Sequence, residues 1–283
     1  MSQVIACIDG SSITLAVCDY AAWASRRMDA PLDFLHVLAR SEYPVPADLS
    51  GNIGLGSREH LLQELAELDE KRGRLALEQG RHMLDAARAR AIADGVPSPT
   101  SRQRHGELVD TLLEFQSDIG LLVMGRQGEH GDSAGEHIGS HLENVVRTLH
   151  RPILVIPSDY HEPRRMLIAF DGSATARKAV EMLAASPLFR GLPCHVVMVS
   201  ADQADARDQL DWARLALEKA GFDVSASLRA GQVEEVLCAY RTEHAIDLIV
   251  MGAYGHSRIR EFLVGSTTTR LIRQAKIPLL LLR

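Results

Sequence analysis

VIACIDGSS at residues 4–12 returns as MLIAFDGSA at residues 166–174. LLVMGRQG at 121–128 returns as LIVMGAYG at 248–255, and RPILVIP at 151–157 returns as IPLLLLR at 277–283. Three pairs in one order mean that the chain is written twice. Asp9 and Asp171 are offset by 162 positions, Pro152 and Pro278 by 126, so the first half carries 36 extra residues between its first strand and its last. These fall mostly in SEYPVPADLSGNIGLGS and in the long helical pattern after it. The polar stretch PSDYHEPRR, with prolines at both ends of its middle, suits an extended linker. The expected domains are residues 1–157, with the insertion at about 40–75, and residues 164–283.

Short β-branched runs (VIACID, DFLHVL, IGLLVM and PILVIP) alternate with amphipathic patterns such as HLENVVRTLH. The second half gives MLIAFD, CHVVMVS, FDVSASLRA, DLIVMG and PLLLL, again separated by helical stretches. Continuous apolar strands imply a parallel sheet covered on both faces. The expected fold is therefore α/β: two tandem doubly wound sandwiches, each on a five-stranded parallel sheet.

A length of 283 residues supports two cores, and 46% apolar with 24% charged residues is a globular composition. A net charge of −6 argues against an extended nucleic-acid footprint. Cys7, Cys18, Cys194 and Cys238 lack CxxC spacing, which points to reduced thiols; Cys194 and Cys238 read as small buried hydrophobes. The start MSQVIACIDGSS shows no signal-peptide pattern, and no apolar run approaches the roughly 20 residues of a membrane span. A soluble cytoplasmic protein is expected.

The segment GAYGHSRIREFLVGSTT, residues 252–268, follows one apolar strand and precedes a helical pattern. In doubly wound sheets ligands sit beyond the carboxyl ends of the strands, where this loop and the Asp171-Gly172-Ser173 turn both lie. Glycines let backbone N–H groups approach an anion, and a helix start at Gly265, Ser266 and Thr267 offers free N–H groups, hydroxyls and a favourable dipole. Glycine loops also turn strands into helices with no ligand at all. It is the pairing with Asp-Gly-Ser in a repeated α/β unit that favours phosphate. A lysine is not required for binding, although its absence weakens a case for fast phosphoryl transfer.

These residues resemble the universal stress protein family in its tandem two-domain form. The family pattern Gly-x2-Gly-x9-Gly followed by Ser or Thr is matched by Gly252, Gly255, Gly265 and Ser266. The family's first-strand aspartate matches Asp171, and the valine that ends its second strand and lines the adenine and ribose pocket resembles Val199. The resemblance implies a Rossmann-like or flavodoxin-like sandwich of the adenine nucleotide alpha hydrolase type. It further implies ATP as ligand, usually with Mg²⁺, and a regulatory role in stress survival. It places Asp171 near Mg²⁺ or ribose, Val199 against the base, and Gly252, Gly255, Gly265, Ser266 and Thr267 around ribose and phosphates. The family pairs its last strands in dimers, so residues 153–156 and 279–282 are expected to pair within the chain as an intramolecular pseudo-dimer, with a homodimer and a protein partner also open.

The first half departs from the pattern. Gly125, Gly128, Gly139 and Ser140 match, but ten residues separate the last two glycines and His141 replaces the threonine. Asp9, Gly10, Ser11 and Val37 preserve the rest of that pocket. Between Gly125 and Gly139 the charge balance is −2, against +1 between Gly252 and Gly265. A tetra-anion prefers the second loop, within the roughly 10 Å reach of charges in ordinary salt. One robust site in the second half and a weaker or empty one in the first are expected.

Two roles are open to Asp171: orienting a hydrated Mg²⁺, which would permit slow hydrolysis, or closing the strand-to-helix turn through an Asx hydrogen bond. His137 and His141, four apart, could share a zinc ion, but a polar loop carrying stray histidines is the plainer reading. The stretch from His60 to Ala91 reads as a solvated helix with one packed face, with partner docking as the alternative. Trp23 and Trp212 read as packing residues. No catalytic set and no GxSxG elbow is present. An ATP-binding regulator is the leading expectation, with a non-nucleotide scaffold and a slow ATPase as alternatives.

Overall fold

The computed structural model describes residues 2–38, 55–126, 140–252 and 277–282, without the side chains of 55–62, Asp69 and Ser140. The first half runs β1 (Gln3–Cys7), α1 (Thr14–Met28), β2 (Leu32–Leu38), α2 (Leu55–Ala93), β3 (Thr100–His105), α3 (Leu108–Glu114), β4 (Ile119–Gly125), α4 (Ser140–Thr148) and β5 (Ile153–Ile156). The second runs β6 (Met166–Phe170), α5 (Ala174–Ala185), β7 (Cys194–Val199), α6 (Ala204–Lys219), β8 (Val224–Arg229), α7 (Val233–Glu243), β9 (Leu248–Gly252) and β10 (Leu279–Leu282).

The ten strands among the described residues form one sheet, in the order β3-β2-β1-β4-β5-β10-β9-β6-β7-β8. Within each half the pairing is parallel, and the order 3-2-1-4-5 is the Rossmann arrangement, whose direction of winding reverses beside the first strand. The join is antiparallel: Leu279 faces Val155, Leu280 faces Leu154 and Leu281 faces Ile153. This is the pairing of last strands expected from the sequence. Because it reverses strand direction, the carboxyl ends of the two halves point to opposite edges of the sheet.

The strand composition follows position in this sheet. The central strands β5 and β10 are buried at every residue, which is why they read as unbroken apolar runs. The outer strands β3 and β8, TSRQRH and VSASLR, are polar and largely exposed, as edges must be to resist pairing with other chains. TSRQRH gave no hydrophobic signal and is the one first-half strand the sequence did not single out. It is held instead by Asp33, buried in β2, whose carboxylate accepts from Thr100 Oγ1 and from Arg102 Nε, both at 2.6 Å. The Arg102 guanidinium in turn lies 4.3 Å over the Phe115 ring.

The halves also touch outside the sheet. Tyr20 of α1 donates its hydroxyl to the His161 carbonyl of the linker at 3.1 Å and packs edge-on to Tyr160 at 4.8 Å. Arg27 donates to the Leu188 carbonyl at 3.0 Å in the 3-10 turn Pro187–Phe189. Trp23 is 1% exposed in α1 and Trp212 is partly buried in α6, both packing against the core on one side of the sheet. Cys194 is buried as read, whereas Cys238 is only half-buried.

The insertion sits between the second and third strands of the first half. Asp33 pairs with Thr100, 67 positions on, where the equivalent His195 pairs with Ser225, 30 positions on; the difference of 37 lies in that crossover. Its visible consequence is α2, of 39 residues against 16 in α6. Among the described side chains of α2, those buried in the core lie in its carboxyl-terminal part: Leu84, Ala87 and Ala91. Gly80 permits this approach: a Cβ there would lie 2.1 Å from Gln103 Nε2 and 2.8 Å from His36 Cδ2. The His36 ring cannot give way easily, since it is buried and its Nδ1 is 2.9 Å from the Ile8 carbonyl.

At the amino-terminal edge of the second half, His195 Nδ1 lies 3.0 Å from the Tyr240 hydroxyl, and the His195 and His244 rings are 5.2 Å apart. Burial, then His244 and Arg165, hold the His195 pKa below its ordinary value, while Asp223 opposes them.

Two outcomes are expected. Gly80→Val should destabilise the protein by about 1–3 kcal/mol, the cost of overpacking, measured by urea unfolding. Because His195 favours its neutral form in the folded state, its contribution is present above the unfolded imidazole value near 6.5 and is lost as pH falls below it. Melting curves from pH 7.5 to 5 should show a decline that His195→Gln makes shallower.

Candidate functional site

Each half presents an Asp-Gly-Ser turn at the carboxyl end of its first strand. In the second half Ser173 N–H donates to Asp171 Oδ1 at 3.0 Å, so the Asx closure of the turn is present. Ser173 is the N-cap of α5, its hydroxyl accepting from Ala176 N–H at 3.2 Å. Gly172 has φ +74°, and a Cβ on it would lie 1.6 Å from Gln209 Oε1 of α6. That position therefore needs glycine both for its backbone and for the side chain leaning over it.

Gly252, the last residue of β9, lies against the start of the same helix. A Cβ there would sit 3.5 Å from Thr175 Cγ2 and 3.9 Å from Ala176 N. β6 and β9 are neighbours, Ala169 pairing with Met251, so the turn after β6 and the chain leaving β9 emerge side by side. Val199 closes β7 on the adjacent strand, half-buried on the same side of the sheet as Ala169 and Met251. Asp171, Gly172, Ser173, Val199 and Gly252 thus gather at one edge, around the amino terminus of a 12-residue helix. Gly255, Gly265, Ser266 and Thr267 lie outside the described residues.

The first half builds its turn differently. Ser11 N–H donates to Asp9 Oδ1 at 3.0 Å, and Gly10, with φ +81°, donates to Thr14 Oγ1 at 3.1 Å. Thr14 stands where the second half has Ala176, and α1 starts there, at Thr14, two positions later than α5 by the 162 offset. Its N-cap, Ile13, makes no side-chain bond. Val37 occupies β2 as Val199 occupies β7, and Gly125 ends β4 opposite Ile156. Gly128 and Gly139 lie outside the described residues, and Ser140 opens α4.

What stands over the two turns also differs. Over Gly10 the nearest atom to an added Cβ is the sulfur of Met83, at 3.5 Å, from α2. Over Gly172 stands Gln209 of α6, while Arg177 of α5 donates from Nε to the Gly172 carbonyl at 3.4 Å with its guanidinium 4.7 Å from the Trp212 ring of α6. Trp212 also stacks on Phe170, with ring centroids 6.3 Å apart. Neither Arg177 nor Gln209 was signalled by the sequence: the first turn of α5 brings Arg177 back to Gly172, and only the crossing of α5 and α6 puts Gln209 there. Their counterparts by the same offset include Leu15, which is 61% exposed.

Burial, then Asp9 and Asp33, push the thiol of Cys7, two residues before Asp9, up to about 12, which favours its protonated form at neutral pH. Burial lowers the pKa of Arg126, which follows Gly125. Of the zinc candidates, His137 is outside the described residues and His141 is exposed on α4; among the described residues no three His, Cys, Asp or Glu gather as a metal site. Among those residues no helix is long and apolar enough to cross a membrane.

The universal stress protein family matches this chain twice, at residues 1–157 and 162–283. A universal stress protein of Synechocystis sp. is 35% identical over 287 residues, covering all of both chains. One of Mycolicibacterium smegmatis is 22% identical, covering 98% of this chain and 95% of its own. The crystal structure of a universal stress protein from Archaeoglobus fulgidus superposes with a TM-score of 0.68 at 19% identity, covering 99% of this chain and 98% of its own, and so shares the fold.

Ser173→Ala should remove the side-chain cap of α5 and cost about 1 kcal/mol in urea unfolding. Ser12→Ala, at a position with no such role, should leave stability within about 0.5 kcal/mol.

Proposed function

The chain belongs to the universal stress protein family, and on that premise we propose that it is an ATP-binding regulatory protein whose nucleotide is held mainly in the second half. The observation that carries this reading is the seating of Gly252 against the capped start of α5, beside the Asp171-Gly172-Ser173 turn. A bare glycine backbone next to a helix amino terminus favours an anion. The sequence adds Gly255, Gly265, Ser266 and Thr267 in the family's spacing.

The residues present fit an adenine nucleotide with Mg²⁺. Asp171 is exposed at the edge, with a carboxylate able to accept from ribose hydroxyls or from water on a metal ion. Val199 offers an apolar wall one strand away. When bound, Mg²⁺ would screen the phosphate charge. The domains would be residues 1–157, with the altered loop, and 164–283, with the intact one. The first turn, under Met83 rather than Gln209 and Arg177, fits the same ligand less well. In this reading the protein acts in the cytoplasm, and occupancy changes the surface that a protein partner meets.

The test is to denature freshly purified protein and quantify released nucleotides by chromatography, then titrate the emptied protein with ATP and Mg²⁺. About one adenine nucleotide per chain is expected, absent from Gly265→Val. Asp171→Ala should weaken ATP binding by roughly tenfold or more, the worth of one hydrogen bond to a charged group. No release and no binding in titration would overturn the reading, and two nucleotides per chain would overturn the asymmetry.

A further inference from the structure

The two halves tie their second strand to the helix before the fourth strand by different chemistry. Asp33 and His195 are each the second residue of the second strand in their half. Phe115 and Tyr240 each lie nine positions after the positive-φ glycine, Gly106 or Gly231, that follows the third strand. In the first half the Asp33 carboxylate accepts from Arg102, whose guanidinium lies over the Phe115 ring. In the second half an imidazole and a phenol fill this place. His195 Nδ1 meets the Tyr240 hydroxyl directly, and the His244 ring packs 4.0 Å from Tyr240 to complete a cluster of three rings. Carboxylate and guanidinium side chains do not ordinarily titrate near neutral pH, whereas imidazole does. Duplication thus left a charge pair in one half and a titratable cluster in the other.

Every element packed round the cluster brings a charge. Arg165, where the linker enters β6, donates to the His244 carbonyl. From β8, the Arg229 guanidinium lies 5.5 Å from the Tyr240 ring and 3.7 Å from Glu243 of α7. The other carboxylate oxygen of Glu243 is 3.7 Å from His244 Nε2, too far for a hydrogen bond, and that buried nitrogen has no hydrogen-bond partner among the described residues. Asp223, just before β8, favours a proton on His195, against burial, His244 and Arg165. Asp247 accepts from the backbone N–H groups of Arg164 and Arg165. The His195 and His244 rings are 5.2 Å apart, so a proton on one opposes a proton on the other. The chain leaving α7 is itself strained: Ala245 holds φ +49°, a region that a residue with a Cβ avoids.

We propose that His195, Tyr240 and His244 form an acid-sensitive latch, in which neutral rings hold the carboxyl-terminal end of α7 on β7 and a proton on the cluster releases it in the second half alone. A charged His195 must donate from Nδ1, so the Tyr240 hydroxyl can no longer donate to it and its proton needs another acceptor. The new charge also faces Arg165 and His244 at a half-buried site. Release frees Ala245 from its strained conformation. The released end of α7 leads directly into β9, the strand that ends at Gly252. The latch goes beyond the nucleotide reading and does not rest on it.

The test is hydrogen exchange of the full-length, ligand-free protein by mass spectrometry at pH 7.5 and 5.5, with rates corrected for the intrinsic effect of pH. On acidification residues 236–246 should lose protection by about fivefold or more, while residues 111–118 of the first half change by less than about twofold. His195→Gln should abolish this pH dependence, because an amide can bond Tyr240 without titrating. Tyr240→Phe should lower protection of residues 236–246 already at pH 7.5. The imidazole proton shifts of His195 in the unsubstituted protein, followed by NMR, should move over the same pH range as the exchange, which keeps the latch testable if either variant folds poorly. Equal loss of protection in both halves, or none in the second, would overturn the proposal. So would a full pH dependence retained in His195→Gln, or a His195 titration that leaves exchange unchanged.

Discussion

The antiparallel contact between β5 and β10 is the constraint on which the molecule depends. Four-residue strands are short, but Leu279, Leu280, Leu281 and Leu282 are each 2% exposed, and their partners Ile153, Leu154 and Val155 are buried as well, at 3% or less. Each such side chain contributes about 1.5–3 kcal/mol relative to exposure. Because the contact runs antiparallel, it turns two five-stranded sheets into one of ten without leaving an apolar edge. Only the polar strands β3 and β8 face outward. It also sets the two Asp-Gly-Ser turns at opposite edges, so that two ligand sites could not share one ligand. Communication between them would have to cross the sheet.

Duplication gave two copies of one frame, and the crossover from second to third strand made them unequal. In the second half that crossover is α6, which brings Gln209 over Gly172 and Trp212 beside Arg177. In the first half it is the longer α2, which brings Met83 over Gly10 and is seated by the missing side chain at Gly80. A polar, cation-bearing cover stands over one turn and an apolar one over the other. The charge of the glycine loops, −2 in the first half and +1 in the second, leans the same way.

Membership in the universal stress protein family rests on matches over both halves and on a 35% identical relative of equal length. The fold agrees over nearly the whole chain with a solved relative at 19% identity. Such divergence with one topology is expected where the sheet core needs only apolar residues of suitable size in order. The surroundings of the two Asp-Gly-Ser turns are where the halves differ from each other.

The repeat, the parallel α/β fold, nine of the ten strands and the Asp-Gly-Ser turns were legible in the sequence, because buried parallel strands must be continuously apolar and tight turns must contain glycine. Asp171, Gly172, Ser173, Val199 and Gly252 could be named in advance for the same reason: they sit at strand ends, and strand ends are local features. The polar strand β3 was not legible, since Asp33, Thr100 and Arg102 hold it through contacts that leave no periodicity. Nor were Arg177, Gln209, Gly80 and Met83, whose roles arise from how α5, α6 and α2 cross the sheet. The sequence by itself determined which segments become strands and helices and where they turn, because backbone geometry and burial act over a few residues. Only the tertiary structure decided what covers each turn and in which register the last strands of the two halves meet, because those contacts join residues far apart in the chain.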